Sequence, residues 1–523
     1  MRTSWWALLC ALAYFFSASV AAAGVILERG NGPEPDSLDP QRAQGLAAQA
    51  ILRDLFEGLT RVNAKGEIEP AIALRWTISA DGLRWRFQLD PNARYSDGAA
   101  ITASDFVYAF ERALKPSTAA PYASQLSAIR GAAERLLGKS TASLGVVAIA
   151  PHLLELELVR PDAALANTLS MPIAAPVNRA CFEQYGDQCI RPNRLPSSGA
   201  YRLVAWRPLG SVLLQKNEFY AGAKSVMIAQ VRFHVTEDAS EEARRFATGE
   251  LHLTETIPPG RLLQLREKFG EQLRVAPSLG TFFLGYNLSK APFADRPKLR
   301  EALSLAIDRD RIVSTITGTG ERPAWGLLPP ELRASGVIVR KETQENRLKR
   351  ARELYQAAGF SGANPLQVEL RYNTSLLNRR LMLAVSLMWE QNLGVRTILR
   401  NEDWKVFVQN RRGKRNTEVF RGGWNADLAD PLNFLALYAS HAHLNYSGYA
   451  NPMFDAQLAA ASAATDWPTR LIHAEQAEAI LLADFALLPI FHYTSKHLVS
   501  PKLRGFIENP LDVHPSRSMQ LLP

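Results

Sequence analysis

The chain has 523 residues, 47% hydrophobic and 21% charged, a composition typical of a globular protein with ample core and not of a disordered chain. The formal net charge of +9 could indicate a nucleic-acid or membrane partner, but lysine and arginine are scattered, with only short clusters such as 411–415. We therefore expect about three domains, a solvated basic surface and no nucleic-acid partner.

The first 23 residues have the pattern of a secretory signal peptide. Arg2 supplies the positive charge, Trp5–Phe16 form the apolar segment, and the small residues Ser19–Ala23 form the cleavage site. No later run approaches the ~18 apolar residues that span a bilayer. The mature chain is therefore expected to be exported and soluble, without membrane insertion.

Two cysteines, Cys181 and Cys189, remain after cleavage of this segment. In an exported protein, thiols this close in sequence favour one small disulfide loop, and two unpaired thiols are the alternative. A metal site needs more ligands than this pair offers.

The first half of the chain mixes strand and helix patterns. Alternating apolar residues over Leu83–Leu89 predict a half-buried strand, and Thr102 with Asp105 resembles a capping box that opens a helix over Ser104–Leu114. A short linker is predicted around Arg274–Ser278, broken by Pro277, before a strand over Gly280–Asn287.

The second half has the alternation of βαβ units. A helix over Lys298–Ile312 comes first, with an apolar face. The elements predicted after it are the helix Arg347–Ala358, the strand Leu366–Tyr372, the helix Arg379–Leu393, the strand Val395–Arg400, a short helix near Trp404–Asn410 and the strand Thr417–Arg421. Ligands of open α/β sheets bind beyond the carboxyl ends of strands, which directs attention to the residues after Arg421.

The stretch from Arg421 to Leu435 reads RGGWNADLADPLNFL. Gly422–Gly423 is expected to turn the backbone, and the flat Trp424 beside the carboxylate of Asp427 suits a ligand that carries an amine. The alternative is a surface turn with a packed tryptophan and an aspartate that caps the next helix.

Several motifs along the chain resemble those of the oligopeptide- and dipeptide-binding proteins of bacterial ABC importers. The segments that carry this resemblance are Asn31–Pro40 (NGPEPDSLDP), Asp54–Leu59 (DLFEGL), Tyr95–Leu114, Ser198–Tyr201 with Lys216–Tyr220, Gly423–Leu435 and the tail from Leu488. The resemblance implies an α/β fold of the two-lobed periplasmic-binding-protein type, with mixed sheets flanked by helices, an extra third domain and a ligand cleft between the lobes.

The same resemblance implies a division of the mature chain. Lobe one would comprise residues 24–50, 178–278 and 488–523, the extra α/β domain residues 51–177, and lobe two residues 279–487. Lobe two would then carry the amine-binding stretch.

Members of this family trap extended peptides in a closing cleft, and their ligand-binding positions carry over one at a time. Asp427 matches the carboxylate that pairs with the ligand's α-amino group, and Trp424 matches an aromatic wall beside a side-chain pocket. Asn425 and the loop around Glu34 are expected to offer main-chain groups. Tyr108 is the residue of the helix motif that is expected to reach the cleft.

The carboxylate end of a ligand requires cations. Arg421 and Arg412 fall where relatives place carboxylate-binding arginines, although basic neighbours could take the place of Arg412. Two positions depart from relatives: Thr317 stands in place of a lysine, and the segment Tyr372–Asn378 ends in asparagine instead of histidine. These departures leave ligand length open, and also a modified or non-peptide ligand such as a murein peptide, an opine, haem or a metal chelate.

Enzyme motifs are absent from the sequence: it contains no GxSxG, P-loop or HExxH pattern. His441 and His443 lack a third metal ligand at useful spacing, and nothing supports Asp427 with Asp430 as an acid–base pair. We therefore expect a monomeric periplasmic receptor without a cofactor, which delivers peptides to an inner-membrane ABC permease. A periplasmic peptidase or chaperone is the alternative of a different class.

Overall fold

The structure is a computed structural model that describes residues 26–139, 143–336, 342–414, 417–442 and 444–522. The predicted signal peptide, residues 1–23, and His443 lie outside these ranges. Within them, no helix is long and apolar enough to cross a membrane.

The strands are numbered in chain order. They are β1 (Ile26–Gly30), β2 (Thr60–Val62), β3 (Ile68–Pro70), β4 (Ala73–Ile78), β5 (Arg84–Leu89), β6 (Val146–Ala150), β7 (Leu153–Glu157), β8 (Tyr201–Arg207), β9 (Ser211–Lys216), β10 (Gln230–His234), β11 (Leu273–Tyr286), β12 (Arg322–Pro323), β13 (Gln367–Asn373), β14 (Arg396–Glu402), β15 (Val419–Asn425), β16 (Leu487–Leu498), β17 (Leu503–Arg504) and β18 (Gln520–Leu521).

The α-helices connect and flank these strands. They are Gly45–Leu55, Ala103–Ala113, Ala132–Leu136, Leu165–Thr168, Arg179–Tyr185, Ala239–Ala247, Leu262–Phe269, Pro297–Leu305, Arg309–Arg311, Gln344–Ala357, Leu376–Leu393, Trp404–Gly413, Leu432–Leu435, Pro452–Ala463 and Trp467–Ala483.

A four-stranded sheet in the order β1-β10-β9-β8 joins the start of the chain to residues 201–234. β1 pairs with β10 in parallel, and the other neighbours are antiparallel. The core of this sheet includes residues of the helix Gly45–Leu55 and of the segment that contains Cys181 and Cys189. The sulfur atoms of these two cysteines form a disulfide in the structure.

A second four-stranded sheet, β4-β5-β7-β6, packs on the helix Ala103–Ala113. The helix begins with the predicted capping box, in which Asp105 accepts a hydrogen bond from the backbone of Thr102 at 2.8 Å. Alternate burial along β5 places Trp85 and Phe87 in the core, as the alternating pattern predicts.

The third sheet has the order β12-β16-β11-β15-β13-β14 and contains the βαβ pattern of the second half. β13 is parallel to both β14 and β15, and the helix Leu376–Leu393 connects β13 to β14. The predicted helix over 298–312 is divided: one helix covers Pro297–Leu305, a short one covers Arg309–Arg311, and a π-helical turn follows over Ile312–Thr317. The mixed sheets with flanking helices confirm the α/β class.

β11 and β16 are long antiparallel strands, and they correct the predicted linker. Residues 274–278 belong to β11, which begins at Leu273, and pair with β16 as far as Pro277. The pairing then shifts between Pro277 and Thr281. Proline has no N–H to donate, so it interrupts the ladder without ending the strand.

Gly422 and Gly423 do not form the predicted turn, because β15 continues through them to Asn425. A Cβ atom at Gly422 would lie 2.2 Å from the ring of Phe283, and one at Gly423 would lie 2.7 Å from the hydroxyl of Tyr493. The glycines therefore permit aromatic side chains to lie directly against the strand, and their role is close approach rather than a turn.

Candidate functional site

A cavity of about 300 Å³ lies where the first sheet, the third sheet and the C-terminal segment meet. Its wall includes Arg29 from β1, Arg53 from the helix Gly45–Leu55, Glu255 from the loop after the helix Ala239–Ala247, Asp427 after β15 and Tyr493 from β16. The cavity therefore carries side chains of both charges, brought together from distant parts of the chain.

Asp427 is held by a short local network. The side-chain oxygen of Asn433 accepts hydrogen bonds from the backbone N–H of Asp427 at 3.1 Å and from the indole of Trp424 at 2.8 Å. Trp424 packs against the neighbouring core and is not part of the cavity wall, whereas Asn425 and Asp427 both line it. Asn433 thus fixes the backbone that presents the Asp427 carboxylate.

Burial raises the pKa of the Asp427 carboxyl, and the positive charge of Arg53 and a hydrogen bond from Asn433 oppose this shift. Burial likewise lowers the pKa of Arg53 to about 10, with Asp427 as the largest opposing influence. In the described part of the chain, Asp427 has no ion pair within 4.0 Å. The cavity therefore has an aspartate and an arginine that interact through space without closing a salt bridge.

The contacts of Asp430 do not support a role as the acid–base partner of Asp427. Its carboxylate is buried and accepts a hydrogen bond from Arg470 at 2.6 Å, and it also accepts one from the backbone N–H of Leu432 at 2.8 Å. Asp430, and not Asp427, therefore tethers the start of the helix Leu432–Leu435.

Arg421 and Arg411 do not line the cavity, but Arg421 interacts with the wall residue Tyr493 and Arg411 interacts with Arg421. Arg421 is hydrogen-bonded to the side chain of Tyr493 and lies over the ring of Phe282 at 5.3 Å. The guanidinium of Arg411 lies 4.1 Å from the ring centre of Tyr446, and burial lowers its pKa to about 10, with Arg421 acting in the same direction. Within the described ranges, the Nε atoms of both arginines are buried without a hydrogen-bond partner.

The remaining predicted site residues lie elsewhere. Arg412 is exposed, so the arginine that interacts with Arg421 is its neighbour Arg411. The carboxylate of Glu34 accepts hydrogen bonds from the indole of Trp206 at 2.7 Å and the backbone N–H of Leu209 at 3.0 Å, which ties its loop to β8 and the turn that follows. Thr317 is buried and bonds to the carbonyl of Val313 at 3.1 Å.

Tyr108 is not brought to the cavity, contrary to the sequence prediction. Its ring lies 5.6 Å from the guanidinium of Arg179, and it packs against the core of the first sheet. The helix Ala103–Ala113 turns this face toward the neighbouring helix Arg179–Tyr185 instead of the cavity.

Sequence reasoning missed several residues of the cavity wall. Arg53 directly precedes the DLFEGL motif, and its charge beside Asp54 near the end of a mainly apolar helix is the signal that could have identified it. Tyr493, His497, Asp512 and His514 gave no local signal, because the chain brings together β16 and the C-terminal segment only in the folded state. Arg29 also lines the cavity, and its guanidinium donates to the carbonyl of His514 at 3.0 Å.

Comparison with known proteins gives a family match over residues 67–446, to the middle region of the bacterial extracellular solute-binding proteins of family 5. The chain belongs to this family. It is 34% identical to the periplasmic oligopeptide-binding protein OppA of Escherichia coli over 504 residues, covering 95% of this chain and 92% of OppA. It is also 34% identical to the periplasmic murein peptide-binding protein MppA of the same organism, covering 98% of this chain and 97% of MppA.

Solved structures of family 5 proteins have the same fold. The structure of Escherichia coli MppA superposes with a TM-score of 0.84 at 34% identity, covering 97% of this chain and all (100%) of that one. Haemophilus influenzae OppA, in complex with the peptide RPPGFSPFR, gives a TM-score of 0.83 at 30% identity, covering 96% of this chain and 99% of that one. The comparisons confirm the predicted family and the two-lobed periplasmic-binding-protein fold.

Proposed function

We propose that this protein is an exported periplasmic receptor that captures peptides in the described cavity and delivers them to an inner-membrane ABC permease. It acts as a monomer, without catalysis and without a cofactor, and the transporter hydrolyses ATP elsewhere. Peptide binding by OppA and MppA, as their names state, supports the ligand class.

The observation that carries the proposal is the position of Asp427. Its carboxylate lines the cavity, is partly withdrawn from water, and forms no ion pair within the described structure. A buried charge is costly unless a partner of opposite charge is supplied. The α-ammonium group of a peptide supplies that partner, and Arg53 is the internal charge that partly compensates Asp427 before the ligand binds.

The cavity suits a short peptide in size and in charge. Its volume of about 300 Å³ lies at the lower end of the range for small-ligand pockets, about 300–1,000 Å³. Charges of both signs on the wall fit a zwitterionic ligand better than an apolar one. Asn425 lines the cavity, where its predicted main-chain contact with the ligand stays a proposal. Trp424, predicted as an aromatic wall beside a side-chain pocket, packs outside the lining and contributes through its hydrogen bond to Asn433.

We propose that the carboxylate end of the ligand is drawn toward Arg421 and Arg411. Both have buried donor atoms without partners, and buried donors of this kind are costly unless a ligand or water satisfies them. Arg411 here takes the place that the sequence prediction gave to Arg412. The exposed position of Arg412 is suited to steering anionic ligands and not to a buried contact.

We propose that the cleft closes by bending of the two long antiparallel strands β11 and β16. β11 and β16 join the lobes predicted from the sequence, and their pairing is interrupted between Pro277 and Thr281, beside the cavity residues Ser278 and Leu279. A ladder interrupted at one point can bend there with the loss of few hydrogen bonds, which is the property of a hinge.

A modified peptide, such as a murein fragment, is the second candidate ligand. The observation that favours it is Arg53, a further cation on the wall that could receive an additional carboxylate. Full-length similarity to MppA supports this alternative to the same extent as similarity to OppA supports an unmodified peptide.

Native mass spectrometry of protein purified from periplasm without denaturation tests the proposal. A heterogeneous set of adducts with masses of two- to five-residue peptides is the expected result. A single adduct with the mass of a murein peptide would establish the second candidate. A single adduct that is not a peptide would contradict both.

A further inference from the structure

His497, Asp512 and His514 form a compact cluster on the wall of the cavity. We propose that these three side chains bind a divalent transition-metal ion such as Zn²⁺. The inference goes beyond peptide capture and does not depend on it, because the ion would be held by the protein alone.

The geometry of the cluster is close to that of a metal site. The Nε2 atoms of His497 and His514 lie 2.8 and 2.9 Å from the same carboxylate oxygen of Asp512. One ligand atom from each residue lies within 4.8 Å of the others. Zinc is bound by nitrogen and oxygen at about 2.0–2.2 Å, so a tetrahedral ion would hold these ligand atoms about 3.3 Å from one another, close to the spacing observed between the rings and Asp512.

The ligands are oriented by contacts on their far side. Nδ1 of His497 lies 2.9 Å from the carbonyl oxygen of Thr254, and donating its hydrogen there directs Nε2 toward the cluster. Metal-binding histidines commonly use such a contact to a backbone carbonyl to fix the tautomer and the orientation of the ring. His497 also lies on β16, so one ligand is anchored in the central sheet.

The segment that carries the other two ligands is held in place as well. Arg29 donates to the carbonyl of His514, and the side chain of Asn509 bonds to both the N–H and the carbonyl of Val513, at 3.2 and 2.9 Å. Asp512 itself has a φ of 55°, a left-handed conformation that few residues adopt without a local reason. The cluster is therefore prearranged before any ion binds.

The proposed site is open on the side of the cavity. The side chain of Asp512 is 34% exposed, whereas those of His497 and His514 are 8% and 4% exposed. Three protein ligands with an open side leave one or more coordination positions for a water or a small ligand. The carboxylate of Glu255 lies on the same cavity wall and interacts electrostatically with His497 and Asp512.

The proton balance of binding is simple. Each imidazole binds the ion through a neutral Nε2, so the hydrogens now placed between the rings and Asp512 pass to solvent when the ion enters. No oxidation or covalent change is involved. The competing interpretation is that the cluster is only an ionic contact that fastens the C-terminal segment to β16.

The proposal also links the metal site to the amine-binding stretch. The backbone N–H of Leu279 donates to the carbonyl of Pro510 at 2.7 Å, and the N–H of Ala426 donates to the carbonyl of Leu279 at 2.7 Å. Leu279 therefore connects the segment that contains Asp512 to the stretch that contains Asp427. If the proposed function holds, a bound ion would face the same ligand that Asp427 anchors.

The test is isothermal titration of Zn²⁺ into mature, tag-free protein that has been treated with a chelator. We expect one ion per chain with a dissociation constant in the micromolar range or tighter, and a loss of at least about tenfold in affinity for His514→Gln. The matched control is His473→Gln, which removes a histidine whose ring bonds to Gln457 on the neighbouring helix and should leave binding unchanged.

Electron paramagnetic resonance of the Cu²⁺ form provides a second measurement. Its nitrogen couplings would not depend on His514 if the cluster only fastened the C-terminal segment. Nitrogen couplings from two imidazoles are expected in the parent and from one in His514→Gln. Asp512→Asn serves as a second variant if His514→Gln does not fold, and thermal unfolding without metal checks each one. Absence of stoichiometric Zn²⁺ binding, or equal binding by the parent and a folded His514→Gln variant, would overturn the proposal.

Discussion

Trp424 and Asn433 are joined by a hydrogen bond of 2.8 Å from the indole nitrogen to the side-chain oxygen, and the same oxygen accepts the backbone N–H of Asp427. One asparagine, six residues beyond Asp427, therefore fixes both the aromatic side chain and the carboxylate that the sequence singles out. Asn433 does not line the cavity, so its importance lies in positioning.

Asn433→Ala is expected to weaken peptide binding by about tenfold and to destabilise the protein by about 1–3 kcal/mol, because two donors lose their acceptor. Calorimetry and denaturant unfolding measure the two effects. Trp424→Phe is the comparison variant, since it removes the indole hydrogen bond together with part of the ring but leaves the bond from Asp427 to Asn433 in place. Equal effects of the two variants on affinity would contradict a positioning role for Asn433.

The adjacent residues Arg411 and Arg412 offer a matched pair. Arg411 is half-buried, with its guanidinium over the ring of Tyr446, whereas Arg412 is exposed. We expect Arg411→Ala to reduce the affinity for a free-carboxylate peptide by at least about tenfold, or about 1.4 kcal/mol, and Arg412→Ala to change it by less than about twofold. Fluorescence titration with a peptide and its C-terminal amide measures this.

The amide should be insensitive to the Arg411 substitution if the guanidinium acts on the carboxylate. An equal loss of affinity for both peptides would show that Arg411 acts through packing. A larger loss with Arg412→Ala would restore the assignment made from the sequence.

As the pH is lowered, peptide affinity is expected to begin to fall at a higher pH than it would if Asp427 had the pKa of an ordinary aspartate. Burial raises the pKa of Asp427 above its ordinary value of 3.8, so the carboxylate takes up a proton earlier as the pH falls, and the protonated form cannot pair with an ammonium. Once Asp427 is mostly protonated, the loss approaches about tenfold per pH unit. Titrations at decreasing pH measure it, with Asp427→Asn as the control that should show a flat profile.

The same shift has a consequence for stability. A carboxyl whose pKa is higher in the folded than in the unfolded state destabilises the folded protein as the pH rises through these two values. The ligand-free Asp427→Asn variant is therefore expected to unfold at a higher temperature than the parent at neutral pH. A lower unfolding temperature would indicate that Arg53 already stabilises the charged form.

The disulfide between Cys181 and Cys189 should contribute to stability without affecting the ligand. It closes a short loop in the first sheet's core, and neither cysteine lines the cavity. Loop-closure entropy for this length predicts a loss of about 2–3 kcal/mol in the double alanine variant. Denaturant unfolding measures the loss, and peptide affinity should stay within about twofold of the parent value.

Local patterns predicted much of the fold. The alternation over Leu83–Leu89, the capping box at Thr102 and the βαβ pattern after residue 344 all depend on neighbours in sequence, and the structure contains them. The prediction was wrong at Pro277 and at Gly422, where residues that usually interrupt structure lie inside strands. At both positions, tertiary pairing outweighs the local preference.

The site was predictable only where one continuous stretch forms it. Asn425, the last residue of β15, and Asp427 just beyond it both line the cavity, and their contact with a ligand stays a prediction. Arg53 and the cluster around Asp512 come from segments hundreds of residues apart, and no local pattern marks their meeting. Tyr108 shows the reverse case. It was predicted to reach the cleft because it belongs to a diagnostic motif, but its ring packs near Arg179, away from the cavity.

The most direct test of the account is calorimetry on ligand-free protein with trialanine and with its N-acetyl derivative. We predict that acetylation, which removes the ammonium charge, costs the parent about 2–5 kcal/mol, whereas Asp427→Asn binds both forms weakly and with nearly equal affinity. The paired peptides differ in one group, so the comparison isolates the contact with Asp427. Equal binding of the two peptides by the parent would contradict Asp427 as the anchor of the ligand's amine.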